Sequence, residues 1–426
     1  MLMTRRQSPS LFERRFPNSA RPCRQMADLD RSQKIRVCVF TGTRADYGPM
    51  LPVIERLHSD PGIDLSIVAS GGHLVPDQGL TVRSIEDDGF TVTDTIDMVL
   101  ASDSPTGVAK SLGLAVIGMA ESLRRIKPDI LFVTGDRYEA LAAAVAAVTA
   151  PITIAHFGGG QLTYGSMDER CRHALTKLSH LHFVFTPDDR SRVLRMGESP
   201  EDVQVVGAVG ITRATVDRLL DRPSLESALG MHLARNLFLI TYHAATVDSA
   251  QSVAVLGDLL AALDNFPDVQ LVFTAPNVDH GSGAILHLIR EYTEKNACRA
   301  TLIPSLGQRR YLSMLTHSQV VIGNSSSGIV EAPELGTPTV NIGPRQDGRP
   351  RGPSIIDCRG GVVDITAAIA RAQSMVIDRA ASDEVLAARE REIDECVIRK
   401  LKTAYLRGSD AKIFYAGESQ TQAVQG

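Results

Sequence analysis

The sequence predicts an α/β protein built from two successive Rossmann-like domains. Three observations point there. The chain has 426 residues, too many for one ordinary domain and suited to two of roughly 150–200 residues each. From Lys34 onward, short β-branched apolar runs alternate with longer helical stretches, the pattern of βαβ units and parallel sheets. The alternation breaks at a polar stretch near Asp217–Ser227 and then restarts.

In the first series the predicted strands are Ile35–Phe40, Asp64–Ala69, Ile130–Val133, Ile152–His156, His182–Phe185 and Val203–Val206. Helices are predicted over Met50–Ser59, Ser111–Ile126, Glu139–Val148 and Glu169–Leu178. The second series predicts strands Leu237–Tyr242, Val269–Phe273, Ala300–Ile303, Val320–Gly323 and Thr339–Asn341. Its helices are Ser249–Leu263, Ala284–Asn296, Arg309–Leu315 and Gly328–Glu334. The expected division is 34–215 for the N-terminal domain and 216–381 for the C-terminal one. A last helix, within 382–408, is rich in Ala, Glu and Arg and is expected to pack across the junction, with 409–426 a frayed tail. Residues 1–33 carry seven Arg, three acids and several Ser and Pro, but no apolar core of the kind a signal peptide needs. They read as a disordered basic extension, or as an upstream start with Met26 the initiator.

A formal charge of −4 gives no reason to expect nucleic acid or an anionic membrane as partner. No apolar run approaches the roughly 20 residues that span a bilayer. Six cysteines lie far apart without a CxxC or Cys/His cluster, which excludes a predicted zinc site or disulfide framework and suits free thiols in the cytoplasm.

In open parallel sheets, ligands bind beyond the carboxyl ends of the strands, and several unusual loops sit there. After the first strand, Gly42 allows a tight turn, a helix opening near Pro49 attracts an anion, and Arg44 can complete a phosphate or uracil site. A capped turn with a surface arginine is the plain alternative. Asp136 and Arg137 follow the strand at Ile130, either a tuned acid/base or a structural ion pair. Three glycines, 158–160, let the backbone approach a ligand. Asp168 then begins a helix carrying Arg172, as a site or as a simple cap with its i+4 partner. In the second half, His243 is placed at the domain cleft, and Asn277 and Asp279 can bind sugar hydroxyls or shape a turn. The strongest local signal is Gly323-Asn324-Ser325-Ser326-Ser327-Gly328 between a strand and a helix. Its serine hydroxyls and free N–H groups form an anion cradle, with Glu331 one turn on to accept ribose hydroxyls. A capping box is the alternative. Arg345, Arg349 and Arg351 follow the next strand and would neutralise a diphosphate.

Taken together these segments resemble the hydrolysing UDP-N-acetylglucosamine 2-epimerases of sialic acid biosynthesis and their relatives acting on diacetamido sugars for legionaminic acid. The carriers are GTRADYG (42–48), SGGHL (70–74), KPD and GDR (127–137), HFGGGQ and DERCRHALTKLSHLHF (156–183), PNVD (276–279) and GNSSSGIVEAPELGTPTVNIG (323–343). The resemblance implies a GT-B-like fold with the active site in the interdomain cleft, and a reaction that needs no metal or nicotinamide cofactor. A base removes the C2 proton while the nucleotide leaves C1, and water then adds to the 2-acetamidoglycal to release a free sugar such as N-acetylmannosamine. It further implies Asp136 and Asp168 as the acid/base carboxylates with Arg172 as their support. Arg44, His243, Ser326, Ser327 and Glu331 match nucleotide contacts, Arg137 and His73 match cleft positions, and homo-oligomers, dimers or tetramers through the first domain, are expected.

The chain departs from that pattern. Sialic-acid-type members carry a catalytic Glu where Gly158 stands, and Gln161 replaces an acid after the glycines. Ala244 replaces a Pro, and 207–212 lacks an Asp. A GT-B-type glycosyltransferase, a nucleotide-sugar hydrolase without epimerisation, and a non-catalytic nucleotide-sugar sensor are the alternatives these departures leave.

Overall fold

The computed structural model describes residues 34–164, 166–244, 249–277, 279–377, 383–408 and 412–415. The expected extension over 1–33, most of the tail, Thr246 and Val278 lie outside them.

Two parallel sheets form the frame. The first holds β1 (Ile35–Thr41), β2 (Ile63–Ser70), β3 (Asp94–Ile96), β4 (Ile130–Thr134), β5 (Thr153–Phe157), β6 (Leu181–Val184) and β7 (Val203–Val205), in the order β3-β2-β1-β4-β5-β6-β7. The second holds β8 (Leu237–Thr241), β9 (Gln270–Thr274), β10 (Ala300–Ile303), β11 (Val320–Gly323), β12 (Thr339–Ile342) and β13 (Ile355–Cys358), ordered β10-β9-β8-β11-β12-β13. Central strands such as β4, β5 and β8 are buried at every residue, which is why they read as unbroken apolar runs. The sequence reading lacks β3 and β13. Both are edge strands with partly solvated residues, so neither carries such a run.

The order in which strands are added reverses between β1 and β4 in one sheet and between β8 and β11 in the other. Each pair of strand ends therefore leaves a crevice, and the unusual loops emerge there. The two crevices face each other.

Two local expectations change. The first helix runs Arg44–Ser59, starting well before Pro49, because Thr43 caps it and Asp46 closes a capping box. The polar stretch near Asp217–Ser227 contains a helix, Arg222–Leu229, whose cap Asp221 accepts from Ser224 N at 3.0 Å and whose Leu225 is buried.

The chain passes between the two cores near Gly210: Val209 packs with the first sheet and Ile211 with the second. It returns at the end. Leu386, in the helix Asp383–Glu392, joins the second core, while Ile393, Val397 and Leu401 join the first. A π-helical turn, Ile393–Ile398, connects that helix to Arg399–Arg407.

Gly323 closes β11 with φ +138°, and a Cβ there would lie 2.0 Å from Thr241 O on the neighbouring strand. Only glycine fits where β11 turns into the serine loop. Gly323→Ala is expected to cost about 3 kcal/mol or more of stability, read from the shift in the urea midpoint.

Candidate active site

Between the facing crevices lies a cavity of about 140 Å³, continued by a second of about 100 Å³ that shares Ala45, Pro49, His243, Asn277, Ser325, Ser326 and Glu331 with it. The first domain contributes acids and the second the serine loop.

On the first side the centre is Arg172, fully buried on the helix Asp168–Leu178. One guanidinium nitrogen donates to Glu169 Oε2 and to Gln161 O, each at 2.9 Å. The other donates to Asp136 Oδ2 at the end of β4. Arg172 bypasses Asp168, so the cap-and-partner alternative fails. Asp168 is instead held by Ser166 Oγ at 2.8 Å and lines the cavity. The second domain sends arginines across to both acids, Arg345 to within 3.8 Å of Asp168 and Arg349 to within 3.9 Å of Asp136.

These surroundings push the two carboxyls apart. Burial raises Asp136, but Arg172 and Arg349 outweigh it and pull the group down to about 2. Burial raises Asp168, the charge of Asp136 adds to it, and the result is about 6. One acid is held ionised while its neighbour keeps its proton into the mildly acidic range, the arrangement by which acid/base roles are separated.

On the second side, β11 runs into Ser325, Ser326 and the helix Ser327–Glu334. Ser326 occupies the cap position without a side-chain cap bond, so the capping-box alternative is not realised. Ser325 Oγ accepts from Ser327 Oγ at 3.2 Å, and Tyr311 Oη hydrogen-bonds Ser327. Asn324 pins the loop by accepting from His243 N at 2.7 Å and donating to His243 O at 2.8 Å. Asn277 N donates to His243 Nδ1 at 3.0 Å, and burial holds that imidazole well below its usual range, hence neutral. Glu331 lines both cavities, and burial raises its carboxyl to about 7.

Several expected contacts are placed otherwise. His73 is fully buried between Thr41 Oγ1 (2.9 Å) and Thr81 Oγ1 (2.8 Å) and lines neither cavity, which corrects its placement in the cleft. The N-terminus of the first helix holds no room for an external anion, because the Asp46 carboxylate accepts from Gly42 N and Thr43 N at 2.8 Å each. Arg44 reaches across the cleft to Pro304 O (2.6 Å) and Ala275 O (2.5 Å). Arg137 lines the first cavity, but its guanidinium bridges Glu139 and Asp279 at 2.9 Å each, a buried pair between the domains. Arg351 turns away to Asp357 at 3.0 Å, leaving Arg345 and Arg349 as the arginines beside the acids. Sequence reasoning missed Phe185, Gln346 and Tyr311 as lining residues. Their positions after β6, after β12 and on the helix Gly307–His317 carry no local motif.

An acid pair facing an anion cradle across two Rossmann-like domains defines a GT-B-like enzyme of the nucleotide-sugar class. The sequence profile of the UDP-N-acetylglucosamine 2-epimerase family matches residues 55–390. The chain belongs to that family. It is 37% identical over 324 residues to the GDP/UDP-N,N'-diacetylbacillosamine 2-epimerase (hydrolyzing) of Campylobacter jejuni, covering 76% of this chain and 84% of that protein. To the UDP-N,N'-diacetylbacillosamine 2-epimerase (hydrolyzing) of Legionella pneumophila it is 36% identical over 331 residues, 78% and 85% of the two chains. Among solved structures, the UDP-GlcNAc 2-epimerase of Methanocaldococcus jannaschii in complex with UDP-GlcNAc and UDP aligns with a TM-score of 0.69 at 16% identity, over 87% of this chain and 100% of that one. The Neisseria meningitidis enzyme bound to UDP-GlcNAc aligns at 0.68 and 17%, over 86% and 100%.

Because Asp168 ionises higher in the folded than in the unfolded chain, its contribution to stability is full below pH 4 and is lost as pH rises through about 6. Asp168→Asn removes that loss. Thermal denaturation is expected to show the variant gaining on the wild type between pH 4 and pH 7, by an amount on the order of 2 kcal/mol.

Proposed function

We propose that the chain is a hydrolysing 2-epimerase of a nucleoside-diphosphate-linked 2-acetamido sugar, with Asp136 and Asp168 exchanging protons at C2. The observation that carries this reading is the pair of carboxyls with opposite protonation preferences facing the serine cradle, with Arg345 and Arg349 between them. The nucleotide lies along Ser325–Ser327 with Glu331 on its ribose. Its diphosphate competes with the acids for Arg345 and Arg349, and a guanidinium drawn off Asp136 leaves that carboxylate more basic when the substrate is in place. A carboxylate then takes the C2 proton and the C1–O bond to the diphosphate breaks. Arginine charge stabilises the leaving group. Water adds its hydroxyl to C1 and a proton returns to C2 from the opposite face, so sugar nucleotide plus water becomes the 2-epimeric free sugar plus nucleoside diphosphate. The placement of Asp136 and Arg172 supports catalysis over a sensor, since binding needs the cradle but not the acids.

In deuterated water the product is expected to carry deuterium at C2 and the inverted configuration by NMR. Nucleotide release without deuterium contradicts the reading. Asp136→Asn should lower kcat by roughly 10²–10⁴ and change UDP affinity only a few-fold.

The reading includes a homo-oligomer, dimer or tetramer, assembled through the first domain. Exposed Leu114 and Ile117 on the helix Pro105–Ile126, and Val145 and Val148 along the adjacent Tyr138–Ala147 helix, support it. Ile117→Asp is expected to shift the sedimentation coefficient toward the monomer, with the circular dichroism spectrum unchanged.

A further inference from the structure

The loop after β12 faces the acid pair. Arg345 reaches Asp168 and Arg349 reaches Asp136, and Gln346 stands between them in the chain. Its backbone is fixed, because its carbonyl accepts from Arg349 N at 3.3 Å and from Arg351 Nη1 at 3.0 Å. Its side chain is fixed at one end. Nε2 donates to Asn324 O at 2.9 Å, a carbonyl that also takes Arg345 Nη1 at 3.2 Å. Asn324 opens the serine loop, so Gln346 rests on the same backbone that presents Ser325 and Ser326.

The other end of the amide has no such anchor. With Nε2 committed to a carbonyl, Oε1 is the remaining atom, and it is buried without a hydrogen-bond partner among the described residues. Gln346 is 2% exposed and lines the cavity that holds Asp136 and Asp168. It does not line the continuing cavity bounded by Gln308 and Tyr311. A buried amide oxygen left unpaired is costly, and in a ligand cavity that cost is removed when the ligand brings a donor. Diphosphate oxygens are acceptors and have no hydrogen to give at neutral pH. The donor that suits Oε1 is therefore an O–H or N–H on the part of the ligand that lies against the acids.

We infer that Gln346 is a sugar-binding residue: Oε1 accepts a hydrogen bond from the sugar, while Nε2 ties that contact to the serine loop through Asn324 O. The inference rests on the proposed epimerase reading and adds to it a residue on the sugar side of the cavity. One backbone carbonyl then carries both Gln346, which holds the sugar, and Arg345, which reaches the acid.

The test measures Kd for UDP and for UDP-GlcNAc by calorimetry, in an Asp136→Asn parent whose turnover is slow. The ratio of the two values isolates the sugar's contribution from any change in the nucleotide seat. Gln346→Met keeps the length of the side chain and removes both polar atoms. Gln346→Glu keeps an acceptor and loses the donor to Asn324 O. The methionine variant should weaken UDP-GlcNAc about tenfold more than UDP. The glutamate variant should weaken both ligands together and keep the parent's ratio. Any other pattern overturns the inference and leaves the epimerase reading standing. Parallel weakening in both variants, for instance, would make Gln346 only a prop for Asn324. A parent that binds neither UDP nor UDP-GlcNAc overturns the epimerase reading as well.

Discussion

The site depends on the burial of Arg172. Its guanidinium is removed from water, and an isolated buried charge would be prohibitive. Gln161 O, Glu169 and Asp136 offset that cost. These acceptors come from the glycine loop, the helix itself and the end of β4. One cation therefore sets the relative position of three segments, and it simultaneously holds Asp136 ionised. Removing any acceptor would leave part of a buried charge unpaired, which is far more costly than the pair is stabilising. Structure and acid/base character are thus one arrangement.

Charge also joins the domains. Arg137 and Asp279 meet across the cleft out of contact with bulk water, and Arg44 spans it to two backbone carbonyls. Arg345 and Arg349 reach back in the other direction. The cleft surfaces thus carry partners for one another.

Much of this was legible in the chain because parallel sheets write their architecture locally. Buried strands appear as apolar runs, and loops at their carboxyl ends carry unusual residues, which is how Asp136, Asp168, Arg172 and the serine loop stand out. What was not legible depends on distant neighbours. His73 lies between two threonines that close both its nitrogens, and nothing in SGGHL announces them. The carbonyls that receive Arg44 lie more than two hundred residues away. The spacing of Thr43 and Asp46 did hold a capping box, which was the clue that the first helix already had its own anion. Edge strands β3 and β13 escaped because solvent contact breaks their apolar pattern.

The chain crosses between the domains near Gly210 and again between Leu386 and Ile393. Two fixed crossings define an axis, as two pins define a door. Rotation about the line joining them displaces those two segments of chain least.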